Sequence, residues 1–394
     1  RGSAYIAVYR YLLNDWQPYI YMTNDYGASW TRLTDGKNGI PADFPTRVVR
    51  EDPDRAGLLY AGTEFGMFIS LDNGRQWQPF QLNLPVTPVT DLRVHRKDLV
   101  LSTMGRGFWI LDNVSPLHQM TTEAQAAAAH LFRPRTAYRT RYAVMGGRPA
   151  TPDYPPPGAQ IDFLLAAEPA GDLKIEILDA TGKAIRTATS QNRPRGANAA
   201  ERPPAGDEQE MRGPGFGAFA SRPLTRRPGL NRWVWDLRYD NGGPLAVPGA
   251  FTVRLSAEGW TKTQPLTLAL DPRLAKDGVT VLDLREQLTF LLAVRETVAD
   301  ARKLMQQVDQ ALRKNPGAEE EKKLRAVRAR LVTAPGAYPQ PMLIDQLGGI
   351  SRMAGAADRK IGRSAIAYFD QLKKELAGMK AAVGPVSSES TRGN

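Results

Sequence analysis

The sequence predicts a multidomain protein that is mainly β-stranded and then helical, with partial β-propeller blades, a β-sandwich and a helical bundle. Three observations lead to this fold class. Two copies of one octapeptide pattern, each after an apolar strand-like run, are typical of propeller blades. Short alternating strands follow in the middle of the chain. After residue 273 the apolar spacing changes to the three-four period of helices.

The repeated octapeptide places an aspartate, a glycine and a tryptophan at fixed spacing. Residues 23–30 are TNDYGASW and residues 70–77 are SLDNGRQW, so both fit the pattern [S/T]-x-D-x-G-x-x-W, 47 residues apart. The fixed residues of the two copies are Asp25, Gly27, Trp30, Asp72, Gly74 and Trp77. We interpret all six as structural: the aspartates accept hydrogen bonds within their own turn, the glycines supply positive φ, and the tryptophans pack between neighbouring sheets.

The octapeptides divide residues 1–115 into about three incomplete propeller blades. The second blade has four predicted strands, whereas the first lacks its first strand. The third lacks a fourth strand, and Val114 stands where the pattern requires glycine. Because open blades would leave unpaired strand edges, we expect the remaining propeller blades to come from a missing N-terminal part or from another chain.

The rest of the chain divides into a connector, a second β domain and a helical domain. Residues 116–158 are predicted to form the connector. Residues 159–273 have the short alternating strands of an Ig-like or fibronectin-like β-sandwich, with a mobile insert at residues 189–228 that is rich in glycine, proline and arginine. Residues 274–384 predict a bundle of three or four helices, and residues 385–394 a disordered tail.

Composition excludes several classes of function. The chain has 394 residues, a formal net charge of +11 and no cysteine, so disulfide and thiol chemistry are excluded. No apolar run approaches the length of a membrane span. The basic residues are scattered, with no stripe interleaved with aromatics, which argues against nucleic acid as a partner. The histidines His95, His118 and His130 lack the short spacing of a metal motif, so we expect no metal and no cofactor.

Several segments together resemble the C-terminal part of bacterial sortilin-like Asp-box (BNR-repeat) β-propeller proteins, a family often labelled glycosyl hydrolase. The resemblance covers about residues 4–380 and is specific as a set. It implies a secreted or periplasmic protein whose long N-terminal propeller is absent from this chain. It implies no verified activity, since Asp boxes occur in enzymes and non-enzymes. The segments that carry it are residues 18–27, 62–66, 83–89, 105–112, 228–238 and 271–273.

The order of strands predicts where a ligand would bind. Asp-box turns join the third strand of a blade to the fourth, so the turns between second and third strands emerge at the opposite end. We expect Asp15, Trp16, Glu64 and Arg106 at that end. Glu64 and Asp15 are weak candidates for acid–base catalysis, while Trp16, Arg106 and Glu64 are candidates for ligand binding. The alternative is an ion pair between Arg106 and Glu64 across adjacent blades, or plain solvent exposure of these side chains.

Two functions remain open at this point. One is the binding of peptide or glycan, with the sandwich and bundle as scaffold. The other is a glycoside hydrolase, sialidase- or xyloglucanase-like, whose main catalytic residues lie in the missing N-terminal blades. A glycosidase needs two carboxylates at a defined separation, and the sequence shows only one plausible acid on each of two blades. We therefore expect this chain alone to be inactive as a glycosidase.

Overall fold

The computed structural model describes residues 2–141, 157–190, 224–240 and 242–384. In this part of the chain, strands occupy the sequence up to residue 270 and four long helices follow. The predicted order of a multidomain chain, first β and then α, is confirmed. Most of the predicted insert at 189–228 and the whole of the predicted tail at 385–394 lie outside the described residues.

Three antiparallel sheets of consecutive strands form the first part of the molecule. Sheet I has the order β1–β2–β3, sheet II the order β4–β5–β6–β7, and sheet III the order β10–β9–β8. Strand β10 pairs with β9 alone among the described strands, as the missing fourth strand of the third repeat predicts. The strands are β1 (Ala4–Val8), β2 (Tyr19–Thr23), β3 (Thr31–Arg32), β4 (Thr46–Glu51), β5 (Leu59–Thr63), β6 (Gly66–Ser70), β7 (Gln78–Pro79), β8 (Val89–His95), β9 (Asp98–Thr103) and β10 (Phe108–Leu111).

These three sheets stack face to face in chain order. Successive side chains of a strand point to opposite faces. Val49 and Leu59 therefore belong to an apolar cluster shared with sheet I, while Val48 and Leu58 belong to one shared with sheet III. All residues of β5 and β6 are buried. Sheet II is thus the middle layer, and the outer faces of sheets I and III have no packing partner among the described strands.

Two further sheets enclose a single apolar core. One has the order β11–β13–β16 and the other the order β12–β18–β17–β14–β15. Both tryptophans of β16, Trp233 and Trp235, lie in this core with Phe163, Ile175 and Val253. The strands are β11 (Ala129–Leu131), β12 (Ala137–Arg139), β13 (Ala159–Leu165), β14 (Lys174–Leu178), β15 (Ala184–Thr189), β16 (Gly229–Trp235), β17 (Gly249–Ala257) and β18 (Trp260–Leu270).

Two of these strands lie in the segment that we predicted as a connector. Strands β11 and β12 each contain three residues, which is too short for alternation to appear in the sequence. Strand β11 extends the first sheet beside β13, and β12 joins the second sheet parallel to β18. The polypeptide before residue 159 therefore contributes an edge strand to both layers of the sandwich.

The last part of the described chain is a bundle of four helices around one apolar cluster. The longest helix begins with a capping box, in which Thr280 and Asp283 satisfy each other's backbone N–H groups. This helix ends at Arg313, and Pro316 shortly after it prevents the helix from continuing. None of the described helices has the length and apolar character required to cross a bilayer. The helices are α1 (Ser115–His118), α2 (Thr122–Ala126), α3 (Pro272–Lys276), α4 (Val281–Arg313), α5 (Ala318–Leu331), α6 (Leu343–Gly355) and α7 (Arg363–Val383).

A buried arginine joins the bundle to the sandwich. Arg139, at the end of β12, is 2% exposed and donates to both carboxylate oxygens of Asp358, at 2.8 and 3.2 Å. It also donates to the amide oxygen of Gln287 in α4 at 3.3 Å and to the carbonyl of Ala246 at 2.6 Å. Asp358, between α6 and α7, also accepts from Arg141 at 2.8 Å. This network fixes the orientation of the bundle on the sandwich.

A second arginine, Arg232, joins sheet III to the sandwich. Arg232 in β16 donates to Asp162 in β13 at 2.6 Å. Its remaining N–H groups donate to the backbone carbonyls of Asp112 and Asn113, which directly follow β10. The third repeat, which departs from the octapeptide pattern here, therefore ends in a contact with the next domain.

Candidate functional site

In both octapeptide turns the aspartate carboxylate accepts a hydrogen bond from the backbone four residues later. Asp25 accepts a hydrogen bond from the backbone N–H of Ser29 at 2.9 Å, and Asp72 accepts one from the backbone N–H of Gln76 at 3.0 Å. The hydroxyl and the backbone N–H of Ser29 lower the pKa of Asp25 to about 2. Both carboxylates thus accept hydrogen bonds within their own turns, as the structural interpretation requires.

The hydroxyl residue that opens each turn completes the pattern. Thr23 and Ser70 donate to the aspartate of their own turn at 2.7 and 2.8 Å. The same two hydroxyls accept from the backbone N–H groups of Gly27 and Gly74, at 3.0 and 2.8 Å. These glycines have φ of 92° and 82°, a region that glycine adopts without steric cost. The two turns are therefore equivalent in geometry as well as in sequence.

The tryptophans of the two turns differ in burial. Trp77 is 4% exposed, belongs to the cluster between sheets I and II, and donates from its indole N–H to the carbonyl of Leu33 at 3.2 Å. Trp30 is 41% exposed. Among the described strands no sheet lies beyond sheet I for Trp30 to pack against, so the packing of this tryptophan between sheets stays a prediction.

The turns that we predicted to carry a ligand site lie at the opposite end of the sheets. They are residues 9–18, 64–65 and 104–107, which follow β1, β5 and β9. The backbone N–H of Tyr19 donates to the hydroxyl of Thr46 at 3.1 Å, which holds the start of β2 beside the start of β4. We call this end of the three sheets the mouth end.

Glu64 is held by an arginine of its own sheet. Arg47 in β4 donates from Nε to Glu64 Oε1 at 2.6 Å, and both side chains are more than four-fifths buried. The hydroxyl of Tyr9 donates to the same oxygen, and Arg47 donates to that hydroxyl at 2.8 Å. Burial and this hydrogen bond to Glu64 raise the pKa of Tyr9. The carboxylate is therefore fixed between a cation and a phenol.

The predicted alternative, an ion pair between Arg106 and Glu64, is wrong for this structure. Glu64 is paired instead with Arg47, which lies on β4, the strand beside β5. Arg106 is exposed in the turn between β9 and β10, and its backbone carbonyl accepts from the indole N–H of Trp109 at 3.0 Å. Its guanidinium makes no ion pair within the described part of the chain, so it remains free to meet a ligand.

Asp15 lies beside a tyrosine between two arginines. Its carboxylate accepts from the hydroxyl of Tyr19 at 2.8 Å and from the backbone N–H of Gln17 at 3.2 Å, and it lies 3.2 Å from Arg10 Nη1. The hydrogen bond from Tyr19 is the largest cause of a lowered pKa for Asp15. Arg32 stacks on the Tyr19 ring at 4.3 Å. Asp15 therefore stays ionised at neutral pH and suits contact with a ligand better than proton donation.

Three aromatic rings lead from Glu64 to the surface. Tyr9 lies 4.4 Å from Tyr11, and Tyr11 lies 5.8 Å from Trp16, as measured between ring centroids. Trp16 is 45% exposed. We call Tyr9, Tyr11 and Trp16 the aromatic cluster. A flat apolar ring beside charged and hydroxyl groups is the combination that binds a polar ring compound.

Sequence reasoning missed most of the partners in this site. Tyr9, Tyr19 and Arg47 come from three different strand ends, and nothing in their spacing shows that they meet. The aromatic-rich run YRYLLNDW at residues 9–16 was the available signal. Such a run is unusual for a turn, which more often contains small and polar residues.

A second group of polar side chains links sheet II to α1. One carboxylate oxygen each of Asp52 and Asp54 and one ring nitrogen of His118 lie within 4.8 Å of one another, which is close enough for the three to bind one metal ion. Asp52 is buried, and its oxygens accept from the hydroxyl of Tyr60 at 3.0 Å and from the backbone N–H of Asp54 at 2.8 Å. His118 Nε2 lies 2.9 Å from the same carboxylate. These contacts join elements 66 residues apart, which is why the spacing of the histidines did not predict them.

Comparison with known proteins gives only weak similarity. No protein-family model matches the chain, and no curated protein matches it. The chain is similar to a GH74 enzyme from Niastella koreensis at 13% identity and a TM-score of 0.23, over 50% of this chain and 29% of that one. It is also similar to the extracellular domain of the hybrid two-component system BT4673 from B. thetaiotaomicron, at 12% identity and a TM-score of 0.19, over 67% of this chain and 35% of that one. The chain thus spans about a third of the length of these structures, and neither similarity carries an argument about function.

Proposed function

We propose that this chain is the C-terminal portion of a secreted or periplasmic Asp-box propeller protein of the sortilin-like kind, which binds glycan or peptide at the mouth end. The observation that carries the proposal is the equivalence of the two Asp-box turns. They lie 47 residues apart, share one hydrogen-bond pattern, and close sheets that stack in chain order. A propeller repeats one sheet in this way.

Exposed apolar side chains on the outer faces of sheets I and III support the proposal of further blades. Ile6 and Trp30 are 42% and 41% exposed in sheet I and its turn, and Phe108 and Ile110 of β10 are 82% and 61% exposed. Large exposed apolar side chains on an unpaired edge strand favour association. We propose that the remaining propeller blades, from the N-terminal part of the protein or from another chain, cover both faces.

The side chains at the mouth end support the proposal of ligand binding. Trp16 offers a half-exposed ring, and Tyr11 packs beside it. Asp15 and Arg106 offer an acceptor and a donor at the same end of the sheets. A sugar ring or an aromatic peptide side chain presents the complementary groups, an apolar face and polar substituents. In this proposal the sandwich and the helical bundle act as scaffold.

Binding is better supported than hydrolysis by this chain alone. A glycosidase needs one carboxylic acid with a raised pKa and a second carboxylate about 5 to 9.5 Å away. Asp15 has a lowered pKa, and Glu64 is occupied by Arg47 and Tyr9. The alternative function, a glycoside hydrolase of the sialidase or xyloglucanase kind, therefore places its main catalytic residues in the blades that this chain lacks.

The two tryptophans of sheet I provide a matched test. Trp16 and Trp30 are similarly exposed but belong to opposite ends of the sheet. Binding of the protein to a glycan and peptide array is measured for the wild type, Trp16→Ala and Trp30→Ala. We expect Trp16→Ala to abolish binding to the ligands that the wild type retains, with Trp30→Ala unchanged. Equal loss in both variants, or no ligand on either array, would contradict the proposal.

A further inference from the structure

A polar cavity lies at the junction of sheet III and the sandwich. Its volume is about 340 Å³, which is in the range of small-molecule sites. Lys97, in the turn between β8 and β9, lines the cavity together with Thr267 of β18. The turn between β8 and β9 is at the opposite end of sheet III from residues 104–107, so the cavity is separate from the mouth end.

The lining of this cavity is rich in cations and contains no carboxylate. Lys97, Arg133 and Arg135 all line it. Arg135 forms an ion pair with Asp98 at 2.9 Å. The side chains of Lys97 and Arg133 have no ion-pair partner among the residues that the structure describes. Both residues are exposed, and two unpaired positive charges that line one concave site attract an anion most strongly at low salt.

A buried hydroxyl in the same lining lacks a hydrogen-bond partner. Ser115 is 6% exposed, and its Oγ is one of the few buried side-chain atoms in the described chain without a partner. Buried polar groups are nearly always hydrogen-bonded, so an unpaired one that lines a cavity indicates a place for an acceptor. The serine hydroxyl is thus an unpaired donor among the residues that line the cavity.

The wall that carries Arg133 is held in place by a glutamine. Gln119 accepts from the backbone N–H of Arg133 at 2.8 Å and donates to its carbonyl at 3.0 Å. The same amide donates to the carbonyl of Ser115 at 3.3 Å. The backbones that position the serine and the arginine are therefore connected before any ligand binds, which lowers the ordering cost of binding.

We propose that this cavity binds a small oxyanion group, a phosphate or a carboxylate, through Lys97, Arg133 and the hydroxyl of Ser115. Arginine matches the planar oxygens of both groups, lysine adds a point charge, and serine donates one hydrogen bond. The site uses none of the residues of the mouth end, so it stands independently of the proposed glycan or peptide binding.

Calorimetric titration at low salt tests this proposal with three probes. Inorganic phosphate and D-glucuronate present the two oxyanions, and D-glucose serves as the neutral control. We expect binding of at least one anion and none of glucose. Lys97→Ala, Arg133→Ala and Ser115→Ala should each weaken binding, the two charge variants by about 10-fold or more. Arg93→Ala, an exposed arginine of β8 outside the cavity, should leave the dissociation constant unchanged.

The outcomes separate cleanly. Binding of phosphate alone assigns the site to phosphorylated ligands, and binding of glucuronate alone assigns it to carboxylates. Ser115→Ala should not lower the unfolding temperature, because the hydroxyl has no partner to lose. Absence of binding by both anions at millimolar concentration overturns the proposal, as does binding that the three cavity variants leave unchanged or that Arg93→Ala weakens equally.

Discussion

The aspartates of the two octapeptides accept hydrogen bonds within their own turns. Asp25 and Asp72 both accept from the hydroxyl two residues before and from the backbone N–H four residues after, and Asp25 also accepts from the hydroxyl of Ser29. The spacing of the octapeptide predicted this role, since an aspartate two residues before a glycine is a turn signal with a known mechanism. What the spacing could not show was the different environment of the two tryptophans, which depends on whether a neighbouring sheet is present.

Removing one Asp-box carboxylate should destabilise the protein without affecting ligand contacts at the mouth end. Asp72→Ala leaves the backbone N–H of Gln76 and the hydroxyl of Ser70 without their acceptor. We expect a loss of about 1–3 kcal/mol in the free energy of unfolding. Urea unfolding at pH 7 measures it, with Asp72→Asn as the control that keeps one acceptor oxygen. An Ala variant as stable as the wild type would show that the turn does not depend on this residue.

Glu64 provides a second test at the scale of the residue. Because Arg47 and Tyr9 both bind one of its oxygens, we expect no turnover of chromogenic glycosides by this chain. Absorbance assays of the wild type and Glu64→Gln, side by side, measure this. Turnover by the wild type that disappears in Glu64→Gln would prove that Glu64 is catalytic after all.

At the scale of the element, the sequence predicted regular strands and long helices better than short edges. The longer strands of sheets I to III and the helices α4 to α7 follow their apolar periods, while the two-residue strands β3 and β7 were placed by the octapeptide turns before them. Strands β11 and β12 have three residues each, and their pairing is decided by β13 and β18 rather than by their own sequence. The connector was therefore predicted without them.

The contact between β12 and the bundle should respond strongly to loss of its buried arginine. Arg139→Ala leaves Asp358 buried with only the partly exposed Arg141 as a partner. We expect a cost of about 3–5 kcal/mol, because the buried carboxylate loses its buried partner and keeps only a partly exposed one. Arg141→Ala is the matched control and should cost less. Denaturant unfolding followed by helical circular dichroism compares them, and equal stability of the two variants would contradict the account.

The same contact predicts an acid sensitivity. Burial raises the pKa of Asp358, but the hydrogen bonds from Arg139 and Arg141 outweigh this effect and hold it below the usual value of 3.8. A carboxylate with a lowered pKa in the folded state stabilises the protein above pH 4 and loses that contribution as the pH falls below this value. Thermal unfolding between pH 2 and 7 should show a smaller acid dependence for Asp358→Asn than for the wild type. An unchanged acid dependence would exclude Asp358 as a cause.

At the scale of the whole molecule, the order of domains followed from the sequence but their contacts did not. Arg232 meets the backbone carbonyl of Asp112 across 120 residues, and Arg139 meets Asp358 across 219. The local periodicity of the sequence cannot predict pairs of residues so far apart in the chain. The same limit explains why Arg106 was assigned to Glu64, when an arginine on the adjacent strand lies closer. The mouth end itself was predictable, because it depends only on the direction of successive strands.

The central claim is that sheets I to III are part of a propeller completed by other blades. Hydroxyl-radical footprinting of this chain alone and of the chain together with the proposed remaining blades, read out by mass spectrometry, tests it most directly. We predict that Trp30 and Phe108, now 41% and 82% exposed, become protected in the presence of those blades, while Trp16, 45% exposed, stays reactive at the mouth end. Equal labelling of Trp30 and Phe108 in both samples would contradict the claim.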